Sequence, residues 1–368
     1  SMTATFILGY AGIIFEENFG FDKSGVALLM STALWVIFAG TAGASGVAIP
    51  EAIATLGDKM QEVSEVVYFL LGAMTIVEIV DSHQGFKVVT DAIDAKDKRG
   101  LLWTIGLLTF FMSAILDNLT TTIVMVSLMK KLLADDEDRK IFGAMIVIAA
   151  NAGGAWTPIG DVTTTMLWIN GQISAVPTMI SLLLPSLIST LLSIGLLQNE
   201  FPPNMPVPPP PSTTTELAPR GRLVFGTGIL GLLSVPVFKA VTGLPPYMGM
   251  LSALGVIWSL TDVIHAGEER EELKAPAALK KIDTSGVLFF LGILLSVGAM
   301  DAAGLLKQLA INLDSVVSDN TIIASVIGAV SAIIDNVPLV AATMSMYDIN
   351  DVPIDSELWQ LIAFCAGT

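Results

Sequence analysis

Long apolar runs alternate with short polar stretches along almost the whole chain. A bilayer hydrocarbon core of about 30 Å is crossed by about 20 helical residues. Several apolar runs are about that long and others are shorter. Together they predict membrane-embedded helices at 3–16, 24–45, 63–81, 141–155, 163–169, 176–197, 222–241, 246–264, 285–300 and 358–368. The pattern therefore predicts an all-α polytopic membrane protein.

Composition strengthens this prediction. Hydrophobic residues make up 53% of the chain and charged residues 14%, whereas soluble domains carry about 25% charged residues. Such a chain cannot bury its apolar surface within a globule, so a lipid bilayer is its expected partner and a soluble enzyme is excluded. The net charge of −16 gives no reason to expect a nucleic-acid partner. One cysteine and two histidines argue against a disulfide framework or a Cys/His metal site, and no cofactor is expected.

Residues 101–133 form an apolar segment that is too long for one simple crossing. A continuous helix of this length would span about 50 Å, and the polar pair Asp117 and Asn118 lies near its centre. A helical hairpin that re-enters the membrane, with a non-helical tip at this pair, accounts for both features. Residues 321–346 have the same character, with Asp335 and Asn336 inside them.

The charges that flank these two segments differ. Lysine and arginine residues flank both ends of the first segment, whereas none occurs between residue 308 and the end of the chain. Because basic residues mark the cytoplasmic side, the second hairpin is expected to enter from the opposite face.

Short sequence matches recur at a nearly constant spacing. SAILDN at 113–118 matches SAIIDN at 331–336, an offset of 218 residues, and FLLG at 69–72 matches FFLG at 289–292, an offset of 220 residues. Together with the opposed flanks, these matches predict two inverted-topology repeats, an architecture common among secondary transporters.

The predicted division of the chain follows from this repeat. The first repeat covers 1–198, and it contains the hairpin 101–133 and a broken helix over 141–170. A proline-rich extramembrane linker over 199–221 leads to the second repeat, 222–368. The counterpart of the broken helix would begin near residue 367, so the second repeat is expected to be incomplete at its C-terminus.

The two aspartates at the hairpin tips are the leading functional candidates. An ionisable side chain inside a membrane is costly and indicates function. Asp117 and Asp335 could bind a cation such as Na⁺, with Asn118 and Asn336 supplying neutral oxygens. Each carboxylate could instead cap the second helix of its hairpin.

Further hydroxyl, amide and carboxyl groups lie beside the first tip. Thr120 and Thr121 belong to a threonine run whose hydroxyls could be ligands or could be satisfied by the helix backbone. The broken helix adds Asn151, Thr157, Asp161 and Thr164. Asp161 could be a helix cap or a ligand.

Three polar residues end the predicted segment 63–81. Glu78, Asp81 and His83 could form a proton path, or they could be a solvated helix end.

A buried carboxylate suggests how transport would be coupled. Poor solvation favours the protonated form of a carboxylate, so a proton and a cation compete for it. Competition at one alternating-access site gives cation/proton exchange, a hypothesis that the paired aspartates motivate.

The motifs SAILDNLTTT, SAIIDNVPL and NAGGAWTPIGDVTTT resemble those of the NhaD-type sodium/proton antiporters of the ion transporter superfamily. The opening GYAGIIFEENFGFDKSGVALLM also resembles that family, including its plastid-envelope relatives. This resemblance implies exchange of Na⁺ or Li⁺ for H⁺, scaffold and transport domains, an elevator-like motion and a homodimer, in a bacterial inner membrane or a plastid envelope. The site residues that the resemblance implies are Asp117, Asn118, Asn151, Asp161, Thr163, Thr164, Ser331, Asp335 and Asn336.

The residues leave two other functional classes open. An anion carrier of the same superfamily, for dicarboxylates or arsenite, would avoid aspartate at its site because a carboxylate repels the substrate. A non-transporting membrane scaffold is the third possibility.

Overall fold

The computed structural model describes the chain over 1–42, 49–90, 93, 95–133, 135–207, 218–316, 319–331, 336–347, 349 and 352–368. Over these ranges the regular secondary structure is helical, and strand-like pairing is confined to one isolated bridge between Asp97 and Pro206. The predicted all-α class is confirmed.

Within the described residues, ten α-helices precede the proline-rich region. They are α1 (Met2–Ile14), α2 (Glu16–Phe19), α3 (Lys23–Ala42), α4 (Ile49–Ser82), α5 (Lys87–Thr90), α6 (Lys98–Ser113), α7 (Asn118–Leu132), α8 (Asp136–Ala155), α9 (Val162–Ile169) and α10 (Ala175–Leu197). The helices that follow are α11 (Gly221–Thr242), α12 (Pro246–Ile264), α13 (Ala275–Ala278), α14 (Thr284–Ala302), α15 (Leu305–Val316), α16 (Asn320–Ser331), α17 (Asn336–Met346) and α18 (Glu357–Gly367).

Among the described residues, six helical segments are long and apolar enough to cross a bilayer. They are Lys23–Thr41, Ile49–Ser82, Ala175–Glu200, Gly221–Thr242, Pro246–Ile264 and Thr284–Ala302. Each overlaps an apolar run predicted from the sequence. The chain is therefore an integral, polytopic membrane protein.

One helix is much longer than its apolar run predicts. The predicted segment 63–81 is the second part of α4, which begins at Ile49. The added turns contain Lys59 and Glu62, whose charged groups lie 3.1 Å apart, and Lys59 also pairs with Asp301 at 3.0 Å. Because charged residues of this kind are good helix formers, the helix continues where the apolar run does not.

The contacts divide the chain into two compact units. Unit 1 comprises 1–71, 166–173 and 283–366, and within it α14 packs on α3 and α17. Unit 2 comprises 72–165, 174–282 and 367–368, and within it α8 packs on α6, α7 and α10 while α11 packs on α12. These units are defined by contacts, whereas the repeats 1–198 and 222–368 were predicted from sequence matches. The division into units does not test the repeats, which stay a prediction.

Each predicted hairpin range contains two described helices. α6 ends at Ser113 and α7 begins at Asn118, while α16 ends at Ser331 and α17 begins at Asn336. These boundaries repeat at the 218-residue offset of the sequence motif. Re-entry from opposite faces stays a prediction.

The broken helix and the linker are also visible in part. α8 and α9 are separated by residues 156–161, within the predicted broken helix 141–170. Of the linker 199–221, residues 208–217 lie outside the described ranges. The N–H of Lys98 donates to the carbonyl of Met205 over 2.8 Å, which fastens the start of the linker to the base of α6.

Candidate cation site

Asp117 occupies the N-cap position of α7. Its backbone is extended, with φ −66° and ψ 159°, and its carboxylate accepts from the Thr120 N–H at 2.9 Å and from the Thr120 hydroxyl. A carboxylate at a helix N-terminus is stabilised by the unpaired N–H groups and by the helix dipole. The capping role that the sequence left open is therefore present.

Thr121 lies in the first turn of α7 and is fully buried. Its backbone N–H donates to the Asp117 carbonyl at 3.0 Å, but its hydroxyl has no hydrogen-bond partner in the described part of the chain. A buried polar atom without a partner costs about 1–3 kcal/mol. This hydroxyl is therefore available to a ligand beside the Asp117 cap.

Asn118 links the hairpin tip to α8 through its side chain. Its Nδ2 donates to Oδ1 of Asn151 at 3.0 Å, and its own Oδ1 accepts from the Leu119 N–H at 2.9 Å. The two asparagines predicted for the site in the first repeat are therefore in direct contact.

The end of α8 lies unusually close to α6. A Cβ added to Gly153 would stand 2.2 Å from the carbonyl oxygen of Phe110, which is shorter than any real contact. The hydroxyl of Ser113 donates to the carbonyl of Ala150 at 2.6 Å beside this approach. Glycine is thus required at 153, and the close packing holds the hairpin tip against the broken helix.

The break between α8 and α9 is held by the same tip. The hydroxyl of buried Thr157 donates to the carbonyl of Ala114 at 2.6 Å. A Cβ on Gly160 would stand 2.6 Å from the Ser113 carbonyl. Thr157 therefore holds the break in place through backbone contacts.

Asp161 is the most buried carboxylate of the candidate site, with 2% of its surface exposed. It accepts from the Thr163 hydroxyl at 2.5 Å and from the N–H groups of Val162 and Thr163 at the start of α9. Its charge also interacts with that of Asp117. Over the described ranges neither Asp117 nor Asp161 forms an ion pair, so hydrogen bonds alone stabilise their negative charges.

The remaining threonines of α9 are fully or nearly fully buried, and their hydroxyls bond to nearby backbone. The Thr164 hydroxyl donates to the Ala155 carbonyl at 3.4 Å, and the Thr165 hydroxyl donates to the Pro158 carbonyl at 3.0 Å. Both bonds join α9 to the residues before it, so their immediate role is to hold the break.

The second hairpin lies in unit 1 and is described by itself. The Ser331 hydroxyl donates to the Ala366 carbonyl at 3.1 Å, and half-buried Asn336 begins α17. Asp335 lies outside the described residues. The predicted Na⁺ site at Asp117, Asn118, Asp335 and Asn336 therefore stays a prediction.

Two features near the first hairpin were not predicted from the sequence. Ser113 begins the repeated motif, and the repeat could have found it because its counterpart Ser331 was predicted. Lys98 and Asp138 form a buried ion pair at the bases of α6 and α8. Nothing local in the sequence pairs these two residues, and Lys98 looked like an ordinary basic flank.

With this geometry in place, the chain can be compared with known proteins. A family model described as "Citrate transporter" matches residues 10–364. The chain belongs to this family. The resemblance to NhaD-type antiporters is also confirmed by similar proteins that carry such names.

Three relatives illustrate this similarity. The chain is 59% identical to Sodium/proton antiporter 1 of Arabidopsis thaliana over 371 residues, which is 100% of this chain and 64% of that protein. It is 56% identical to Sodium/proton antiporter 2 of the same organism over 372 residues, covering 100% of this chain and 87% of that protein. It is 29% identical to the Na(+)/H(+) antiporter NhaD of Vibrio cholerae over 394 residues, covering 98% and 80%.

Proposed function

We propose that this chain carries the exchange machinery of a secondary active transporter that moves Na⁺ or Li⁺ against H⁺. The observation that carries the proposal is the pair of carboxylates in unit 2. Asp117 and Asp161 interact through their charges, and in the described part of the chain neither forms an ion pair. A carboxylate without a basic partner in a membrane protein is a candidate for binding a cation or a proton.

The neighbouring groups fit a hard cation. Na⁺ and Li⁺ prefer oxygen ligands, and the unpartnered Thr121 hydroxyl lies one turn from Asp117. Asn118 and Asn151 add amide oxygens next to it. A cation that binds here would displace the proton, and exposure of the site to each side in turn would couple the two fluxes. Asp335, Asn336 and Ser331 would contribute from the second hairpin.

The setting of this activity is part of the proposal. The relatives named sodium/proton antiporters support a transporter and not an enzyme. We also propose a homodimer with scaffold and transport domains, in a plastid envelope or a bacterial inner membrane. Energy would come from the ion gradients themselves.

Exchange in proteoliposomes tests the proposal. Purified chain is reconstituted with a pH-sensitive dye inside, and Na⁺, Li⁺, K⁺ or succinate is added under a pH gradient. Na⁺ or Li⁺ should collapse the gradient, and Asp117→Asn and Asp335→Asn should each abolish the response. The matched control is Asp58→Asn, which removes an exposed carboxylate of α4. Full pH-dependent exchange by both Asp117→Asn and Asp335→Asn would contradict the proposal.

One observation favours a second candidate. The matching family model is described as a citrate transporter, and carriage of a carboxylate anion would fit that name. The unpaired carboxylates argue against it because they would repel such a substrate. Collapse of the gradient by succinate or citrate, without any response to Na⁺ or Li⁺, would favour the anion carrier.

A further inference from the structure

The two histidines of the chain meet inside unit 2. His83 follows the last residue of α4, and His265 is the residue at the C-terminal cap of α12. Both are buried, with 0% and 1% of their surfaces exposed, and their Nε2 atoms lie 3.0 Å apart. That distance is typical of a hydrogen bond between two nitrogens.

The other nitrogen of each ring fixes where the protons are. Nδ1 of His83 lies 2.7 Å from the carbonyl oxygen of Ile79, and Nδ1 of His265 lies 2.9 Å from Oε2 of Glu268. A carbonyl and a carboxylate can only accept, so both Nδ1 atoms carry hydrogen. Two neutral rings in this state would present bare lone pairs to each other at 3.0 Å. A cation between them turns this repulsion into a bond.

We infer that His83 and His265 form a proton-binding site, separate from the aspartates, that holds one proton between their Nε2 atoms and joins the end of α4 to the end of α12. The proton resides on His265, which donates through Nε2 to neutral His83 and through Nδ1 to Glu268. The imidazolium charge is thereby neutralised by the Glu268 carboxylate.

The charges around the pair agree with this assignment. Glu268 lies 3.5 Å from the Arg270 guanidinium and also interacts with Arg220. The hydrogen bond from His265 is the main cause that holds the pKa of Glu268 below its usual value. Burial lowers the pKa of His83, as expected for the neutral partner.

An ion pair lies beside the two histidines at the end of α4. The Lys281 ammonium lies 3.2 Å from the Glu78 carboxylate and 2.9 Å from the Ser82 hydroxyl. Glu78 is therefore already paired. The C-terminal ends of α4 and α12 both favour a positive charge.

A metal ion fits less well between the rings. Two nitrogens converge there, whereas protein zinc sites supply three or four ligands. Over the ranges that the structure describes, no group of three or more His, Cys, Asp or Glu side chains could hold a metal.

The site has a defined response to pH. The chain of bonds from Ile79 through both rings to Glu268 needs one proton more than two neutral imidazoles carry. If that proton leaves, the two hydrogens that remain can support only two of the three bonds in this chain. The connection from Ile79 to Glu268 is therefore complete at low pH and incomplete at high pH.

Solid-state NMR of ¹⁵N-histidine in the full chain, in lipid vesicles and without a histidine tag, tests the site directly. The sequence holds two histidines, so only this pair gives signals. Between about pH 5 and pH 9, we expect the pair to lose one proton as a unit, and His83 to carry hydrogen on Nδ1 at the acid end. Two histidines that titrate alike and independently, or two neutral rings with hydrogen on Nε2 throughout, would overturn the inference.

Two glutamate variants sharpen the test. Glu268→Gln removes the carboxylate at Nδ1, and we expect the proton to be lost about one pH unit lower, a tenfold weaker proton affinity. Glu269→Gln is the matched control, because it removes an adjacent exposed charge that forms no hydrogen bond or ion pair with either ring in the described structure. Equal shifts from both variants would show that net charge, and not the bond to His265, is responsible.

A zinc titration separates a proton from a metal. Isothermal calorimetry with ZnCl₂ should show no stoichiometric binding that depends on the histidines. Tight one-to-one uptake, abolished by both His83→Gln and His265→Gln, would make the central cation a metal and overturn the inference. These readouts do not depend on transport, so their failure is distinguishable from failure of the proposed exchange.

Discussion

The two hairpins are anchored in the same way. At the end of α6 the Ser113 hydroxyl donates to the Ala150 carbonyl at 2.6 Å, and at the end of α16 the Ser331 hydroxyl donates to the Ala366 carbonyl at 3.1 Å. The two serines are 218 residues apart, the offset of the repeated motif. In both cases the last residue before the hairpin tip is tied to a later helix.

Each hairpin also meets its neighbouring helix through a glycine. A Cβ on Gly153 of α8 would stand 2.2 Å from the Phe110 carbonyl of α6, and a Cβ on Gly328 of α16 would stand 2.7 Å from the Cys365 carbonyl of α18. Phe110 and Gly328 occupy equivalent positions at the same offset. The glycine belongs to the later helix in the first case and to the hairpin helix in the second, so the two approaches differ in detail.

The side chains beyond these anchors differ. Ala150 is followed by Asn151, which accepts from Asn118 at the first tip. Ala366 is followed by Gly367, which has no side chain to offer. The two anchoring carbonyls are therefore followed by different residues, an asparagine that contacts the first tip and a glycine without a side chain.

The largest expected effect on transport concerns Asp161, the buried carboxylate beside the first hairpin. Asp161→Asn should reduce Na⁺-driven proton release from vesicles by about 100-fold, or about 2.8 kcal/mol. The amide keeps the hydrogen bond from Thr163 but removes the charge. Asp58→Asn should leave the rate unchanged. A normal rate for Asp161→Asn in a folded protein would contradict the proposed site.

Alanine at the two glycines tests these two close approaches. Gly153→Ala should lower the free energy of unfolding by about 3 kcal/mol and Gly328→Ala by about 1–2 kcal/mol, because overpacking forces the helices apart. SDS-driven unfolding in detergent measures both. Gly143→Ala, in α8 with open space around it, is the matched control and should stabilise by about 0.5–1 kcal/mol. If Gly153→Ala behaved like this control, the close approach would be wrong.

Removing the two serine hydroxyls compares the anchors themselves. Ser113 is fully buried and makes the shorter bond, whereas Ser331 is half-buried. We expect Ser113→Ala to cost about 1.5 kcal/mol and Ser331→Ala about 0.5 kcal/mol. The same unfolding measurement decides the order, and a reversed order would show that the second anchor carries more of the stability.

The smallest effect is the coupling between the asparagines. A double-mutant cycle of Asn118→Ala and Asn151→Ala should give an interaction of about 0.5–1 kcal/mol in unfolding. A cycle that pairs Asn118→Ala with Asn199→Ala, whose exposed amide bonds to Gly195, should be additive. Additivity in both cycles would mean that the contact between Asn118 and Asn151 has no energetic role.

The sequence was most informative where chemistry and periodicity agree. Apolar runs located the membrane-crossing helices, and the polar pair in SAILDN marked the break between α6 and α7. The same reasoning misjudged the start of α4, because Lys59 and Glu62 interrupt an apolar run without interrupting a helix. It also left the Asp117 cap and the His83 environment as open alternatives, since neither burial nor partners can be read from local sequence.

Local sequence was enough to predict a membrane protein, a helix break within 113–118 and a resemblance to sodium/proton antiporters. These features depend on local composition, spacing and motif. Packing between helices brings Asn118 to Asn151 and His83 to His265, and it leaves the Thr121 hydroxyl without a hydrogen-bond partner among the described residues. These features depend on packing between helices that are distant in sequence, which no local pattern encodes.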